Sequence, residues 1–177
     1  MITKIFLLFI TSSLFLTPLS MADGANVKDI KVAYIYNFIR YINWPDSHYH
    51  DDLFHICVHE KSDLITNLEV LEKKSVKSKP IKLILISNKT EKLARCEVLV
   101  LPKLNQQELK MYTDYAAPSN ILTISDTQGY AKLNVMINLI VLNNKIKFEV
   151  NLHEVDTTQL TISSSLLKLA KIVKNEE

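Results

Sequence analysis

Glycine is nearly missing from this chain, with 2 in 177 residues. Phosphate-cradling loops of the G-x-G-x-x-G and G-x-x-x-x-G-K-S/T kinds each need two closely spaced glycines, so nucleotide-dependent enzymes of those classes are excluded. A dominant charge is missing too. Twenty-one Lys and Arg stand against 19 Asp and Glu, a formal net charge of +2, and no long basic run concentrates it. That leaves no field for counterion release, and nucleic acid is not an expected partner. Cysteine is limited to Cys57 and Cys96, so the C-x-x-C spacing of a thioredoxin-like site is absent. No apolar run reaches the roughly 20 residues of a membrane-spanning helix. The longest, Ile5 to Leu16, is interrupted by Thr11, Ser12 and Ser13. Internal repeats and low-complexity tracts are absent as well.

What is present begins with an export pattern. Lys4 supplies a positive start, Ile5 to Leu16 a short apolar core, and Ser20-Met21-Ala22 a small-x-small end. Residues 1–22 are expected to be a signal peptide removed after Ala22, leaving residues 23–177 as a single soluble periplasmic domain with no membrane insertion of its own. An oxidising compartment and an even cysteine count favour a Cys57 to Cys96 disulfide.

Asn26 and Asp29 open a helix that runs to Ile42, before Trp44-Pro45 forces extended backbone. Ile35, Ile39 and Ile42 form one stripe on it, with Tyr34, Phe38 and Tyr41 beside them, a wider apolar arc than one packed face needs. Strands then alternate with helices: strands at 53–58, 81–86, 97–101 and 121–124, helices at 64–73, 90–94 and 106–115. Continuously apolar stretches such as Leu83 to Ile86 and Val98 to Leu101 mark strands buried on both faces of a parallel sheet. After Gly129 the pattern becomes a hairpin, 135–142 and 145–152, joined at Asn143-Asn144. In its second strand Ile146, Phe148, Val150 and Leu152 point one way, and Lys145, Lys147, Glu149 and Asn151 point to the exposed side. Ser163-Ser164-Ser165 then caps a final amphipathic helix reaching Val173, with Lys168, Lys171 and Lys174 exposed. The expected architecture is a three-layer α/β/α fold. Its mostly parallel mixed sheet has about six strands, and its C-terminal antiparallel hairpin is followed by a helix.

Candidate chemistry is sparse. His48, His50, His55 and His59 lie close to Asp46, Asp51 and Asp52, a density that suggests metal ligands. His55 and His59 bracket a strand, however, and four strand residues span about 13 Å, so a solvated His/Asp loop without metal is the reading. Ser125 and Asp126 stand at a strand's carboxyl end, where open α/β sheets bind ligands; a small-ligand sensor pocket there is the alternative function. No G-x-S-x-G elbow accompanies Ser125, and catalysis is not expected.

Six blocks read together as one pattern. They are Lys31 to Phe38 followed by Trp44-Pro45; Ile56-Cys57-Val58; Cys96 to Leu99; Leu122 to Asp126; Phe148 to Leu152; and Leu160 to Ala170. The pattern resembles the YfiR family. That resemblance implies a periplasmic repressor that binds the periplasmic sensor domain of an inner-membrane diguanylate cyclase, lowering cyclic di-GMP signalling and biofilm formation. It implies no catalysis and no cofactor, a homodimer, and relief by an outer-membrane lipoprotein that sequesters the repressor. Cys57 and Cys96 match the family's paired positions. A second cysteine pair found in some members is absent here, with Ala131 and Asn138 near those places. The partner surface is expected at Phe38, Tyr41 and Trp44, together with Glu149, Asn151 and Val155.

Overall fold

The structure, a computed structural model, describes residues 27–48, 51–87, 90–143 and 145–173. The expected signal peptide, the Asn26 cap, His50, Asn144 and Lys174 lie outside the described residues. In chain order the elements are α1 (Val27–Tyr41), β1 (Ile42–Asn43), β2 (Phe54–His59), α2 (Ile65–Leu68), β3 (Ser75–Val76), β4 (Lys79–Ile86), β5 (Val98–Leu101) and α3 (Gln106–Ala116). There follow β6 (Leu122–Ser125), β7 (Ile137–Leu142), β8 (Lys145–Asn151), α4 (Leu152–Asp156), β9 (Thr161–Ile162), α5 (Ser164–Leu167) and β10 (Lys171–Val173). Short 3-10 turns stand at Asp46–His48, Glu69–Lys73, Thr90–Arg95 and Tyr130–Lys132.

The main sheet has the order β10-β8-β7-β6-β5-β2-β4-β3. Its centre, β4-β2-β5-β6-β7, is parallel throughout, β8 returns antiparallel to β7, and β10 lies parallel to β8. Going from β2 out to β4 and back across to β5 gives a doubly wound, flavodoxin-like order with its switch point between β2 and β5. Six strands match the expected ones to within two residues; β3 and β10 add short edges.

Alternation along the strands builds two apolar layers. Ile56, Val58, Val98, Val100, Leu122, Ile124, Ile137 and Leu139 face the layer that contains α1, α2 and α5. Cys57, Leu99, Leu101 and Val135 face the layer that contains α3 and the 90–95 turn. The wide arc of α1 is thereby explained. Val32, Ile35, Phe38 and Ile39 are buried, and Tyr34 and Phe38 pack on Phe148 of β8, with ring centroids 6.1 and 4.9 Å away. Helix α3 starts as its sequence dictates: Asn105 and Glu108 form a reciprocal capping box.

The chain's end departs from expectation. The helix expected from Ser163 to Val173 is one turn, α5, capped by the Ser163 hydroxyl, after which Lys171–Val173 form β10 on the edge of β8. Helical spacing of leucines was outweighed there by an open sheet edge and the β-branched pair Ile172-Val173, which suits a strand. The basic stretch Val76 to Lys79, which reads as a loop in the sequence, is a tight hairpin. Val76 pairs with Lys79, and Lys77 and Ser78 form the two-residue turn with φ of 51° and 64°. Both are left-handed, a conformation that only glycine adopts without steric cost. Replacing Ser78 by Gly is expected to stabilise the protein by roughly 1 kcal/mol, read from the midpoint of urea unfolding; an unchanged or lower midpoint would refute the strain argument.

Candidate functional site

Two regions gather the polar groups that the sheet does not need for its own ladder. The first is the junction where β5 joins β2. Cys57 in β2 and Cys96 before β5 form a disulfide across 39 residues, with Cα atoms 5.7 Å apart. Strand registry alone sets Cys57 opposite Leu99, three residues beyond Cys96. The 3-10 turn Thr90–Arg95 closes that gap by bringing Cys96 in over the sheet, its N–H donating to Leu93 O at 2.9 Å.

Glu97 follows immediately and is almost fully buried. Its N–H donates to His55 O at 3.1 Å, and its carbonyl accepts from Leu122 N at 3.0 Å and from Trp44 Nε1 at 3.1 Å. Its carboxyl accepts the His55 N–H in a short hydrogen bond, with His55 Nδ1 at 3.6 Å. Burial raises the carboxyl's pKa to about 7 against the two N–H donors that favour its ionised form. Asp51 is 3.7 Å from the His55 Nε2 and 3.0 Å from Arg95. The Leu53 N–H and the Arg95 guanidinium hold Asp51 below the usual carboxylate range.

The expected solvated histidine loop is thus corrected: His48, His55 and His59 are all buried, the last two because β2 is covered on both faces. At the other end of β2, His59 Nδ1 accepts the Lys61 N–H at 3.1 Å, and its ring meets Tyr112 edge-on at 5.5 Å. Burial lowers the His59 pKa, so the ring is held neutral. Among the described residues no group of three His, Cys, Asp or Glu is placed to hold a metal ion.

The second region is a row of polar side chains in register across four strands. Ser125 pairs with Asn138, Asn138 with Glu149, and Glu149 with Lys171. Ser125 Oγ donates to Leu101 O at 2.7 Å, and Lys171 Nζ reaches Glu149 at 2.9 Å. Asn138 is fully buried, and neither polar atom of its amide has a partner among the described residues. Beside this row Asp126 pairs with Lys31 of α1 at 2.5 Å. An open cavity of about 530 Å³ brings Asp126, Glu149, Lys171, Lys132 and the edge of β7 together.

The residues named from sequence are therefore divided. Asp126 and Glu149, assigned there to different functions, line one cavity. Tyr41 is exposed, at the far end of α1. Phe38, Trp44, Glu149, Asn151 and Val155 are buried, which corrects the outward face expected for the second half of β8. Trp44 stacks edge-on to Phe54 at 5.1 Å. Asn151 donates to Ala131 O at 2.7 Å and accepts the Glu154 N–H as the cap of α4. Strand alternation alone does not register the Tyr130–Lys132 turn that covers this end. Lys31, Lys171 and Glu97 were missed; the one available signal was an acidic residue heading an otherwise apolar strand.

Fold and site together define a disulfide-pinned, doubly wound α/β protein with an open polar cleft at the carboxyl ends of its parallel strands, the usual place for binding in such sheets. The chain belongs to the YfiR/HmsC-like family, whose model matches residues 28–171. This is a family of periplasmic regulators. No curated protein matches the chain. No helix among the described residues is long and apolar enough to cross a membrane.

The Glu97 carboxyl carries a pH prediction. Its folded pKa of about 7 lies above the ordinary glutamate value of 4.5, so folding favours the protonated form. The resulting stability is full at low pH and is lost as pH rises from about 4.5 to about 7, by at most about 3 kcal/mol. His59 acts oppositely, because a depressed imidazole pKa loses stability as pH falls below 6.5. Glu97→Gln retains an acceptor for the His55 N–H and leaves the His59 contribution in place. The variant is expected to gain stability over the parent between pH 5 and pH 8 (, about that window), measured by urea unfolding. A difference independent of pH would show that Glu97 is ionised throughout.

Proposed function

We propose that the chain, exported after removal of residues 1–22, acts as residues 23–177 in one periplasmic domain. It binds the periplasmic sensor domain of an inner-membrane diguanylate cyclase and holds that enzyme inactive, lowering cyclic di-GMP and biofilm formation. The observation that carries this reading is the family match across residues 28–171. The disulfide agrees with an oxidising compartment. In this reading the chain needs no catalytic group or cofactor of its own, works as a homodimer, and is released from the cyclase when an outer-membrane lipoprotein sequesters it. Tyr41 and Glu149 make contact with the partner, while Phe38, Trp44, Asn151 and Val155 set the shape of that surface from beneath.

A small-ligand sensor at Ser125 and Asp126 is the second reading, favoured by the cavity beside Asp126. Both side chains are already engaged, Ser125 with Leu101 O and Asp126 with Lys31, which places this reading second. The test is calorimetry of the disulfide-intact protein with the sensor domain of a co-encoded diguanylate cyclase. Micromolar binding is expected, weakened about tenfold or more by Glu149→Lys. Absence of binding by the folded protein would overturn the repressor reading, and a metabolite-induced rise in melting temperature would then support the sensor.

A further inference from the structure

Neighbouring strands of the sheet end at different heights, and one of them is left with an open edge. Strand β6 stops at Ser125, whose hydroxyl donates to Leu101 O and accepts the Thr127 N–H at 3.2 Å, turning the chain away. Strand β7 continues to Leu142. Its pairing with β6 ends at Asn138, whereas its pairing with β8 continues to Leu142 and Lys145.

The phase of the β7/β8 ladder tells which groups face the open side. Asn151 N–H donates to Met136 O at 2.9 Å, so Asn138, Ile140 and Leu142 exchange bonds with β8 while Leu139 and Val141 direct their N–H and C=O groups away from it. The same phase turns the Ile146 carbonyl of β8 outward, where it accepts from the Tyr34 hydroxyl at 3.3 Å. The Leu139 N–H still meets the Ser125 carbonyl, as the Ser125–Asn138 register requires; beyond it no described strand pairs with the Leu139 C=O or with the Val141 N–H and C=O. The cavity of about 530 Å³ lies against this edge, in the line that a longer β6 would occupy.

Charge around the slot selects its occupant. Both carboxylates there are already neutralised, Asp126 by Lys31 and Glu149 by Lys171. Lys145 and Lys147 are exposed on the ribbon, and no ion pair is formed by either among the described residues. Val141 and Leu142 add exposed apolar surface. A second copy of this chain fits poorly, since its edge strands are basic at their borders: β3 lies between Lys73-Lys74 and Lys77, and β10 follows Lys168.

We propose that the open edge of β7 receives an extended, acidic polypeptide segment of a partner protein, which adds to the sheet as a strand in the line vacated by β6. This stands whether or not the partner is the cyclase proposed above, and its test therefore uses a synthetic probe. An end-blocked peptide alternating valine with glutamate is titrated into the disulfide-intact protein, alongside the same peptide with lysine for glutamate. Anisotropy reads affinity, and amide hydrogen exchange reads location.

The glutamate peptide is expected to bind on the order of tenfold tighter than the lysine peptide and to slow exchange at Val141. Methylating alternate peptide nitrogens of the probe abolishes that protection. Val141→Pro removes an N–H that the β7/β8 ladder does not use, and is expected to lose binding while the fold is retained. Should that variant fail to fold, Lys147→Glu decides the matter by weakening the glutamate peptide. Equal binding of both peptides, protection elsewhere, or no protection at millimolar peptide overturns the proposal. Self-association that protects the Val141 amide without peptide also overturns it, assigning the edge to a second copy.

Discussion

The sheet depends on how β5 is joined to β2, and that joint is made at Cys96 and Glu97. The disulfide removes from the unfolded chain a loop of 39 residues, about 4 kcal/mol on the chain-entropy account. One residue on, the Glu97 backbone ties β2, β6 and the Trp44 indole together. Parallel strands have no tight turn to fix their register, and here a covalent bond and a buried carboxyl fix it at one end of the switch point. The remaining central strands then follow in register from β5 through β6 to β7.

Placing β7 correctly has a consequence at the opposite end of the sheet. Strands of unequal length end at different heights, so the β7/β8 ribbon projects past β6 and needs support on its own. Helix α1 supplies it: Phe38 and Tyr34 pack on Phe148, and the Tyr34 hydroxyl bonds Ile146. Lys31, one turn earlier on the helix, fixes Asp126 at the end of β6. The helix that completes the core is thus also the wall of the cleft. A change in α1 would therefore reach the cavity without any movement of the central strands.

Most of the architecture was legible in the sequence because it rests on signals that survive locally. Apolar strands with interposed helices announced the doubly wound centre, and the late alternation with Asn143 announced the hairpin. Asn143 does adopt a positive φ of 50°. What escaped were features decided between elements. The last segment reads as a helix from its leucines, but the edge of β8 offered it a ladder. Trp44 and Phe38 read as surface aromatics in a wide arc, but partners distant in sequence, Phe54 and Phe148, cover them. The site divided in the same way: Asp126 and Glu149 were visible singly, but their meeting at one cavity depends on strand order. Lys171 was assigned to solvent and Lys31 was given no role, because a helix face and a chain end give no sign of the carboxylates they meet.

Polar burial is concentrated where such a fold is least able to tolerate error, and its two ends use it differently. At the joint, Glu97 accepts from a β2 N–H that favours its anion, but protonation relieves the larger desolvation of a buried charge. At the cleft, Asn138 sits in register between Ser125 and Glu149 with its amide unbonded to any described residue. A leucine or valine of similar size would avoid that desolvation cost. The position therefore sacrifices stability at the point where β7 parts from β6. An apolar residue there would strengthen the β6/β7 contact without altering the joint, because the two positions share no strand and no hydrogen-bond partner.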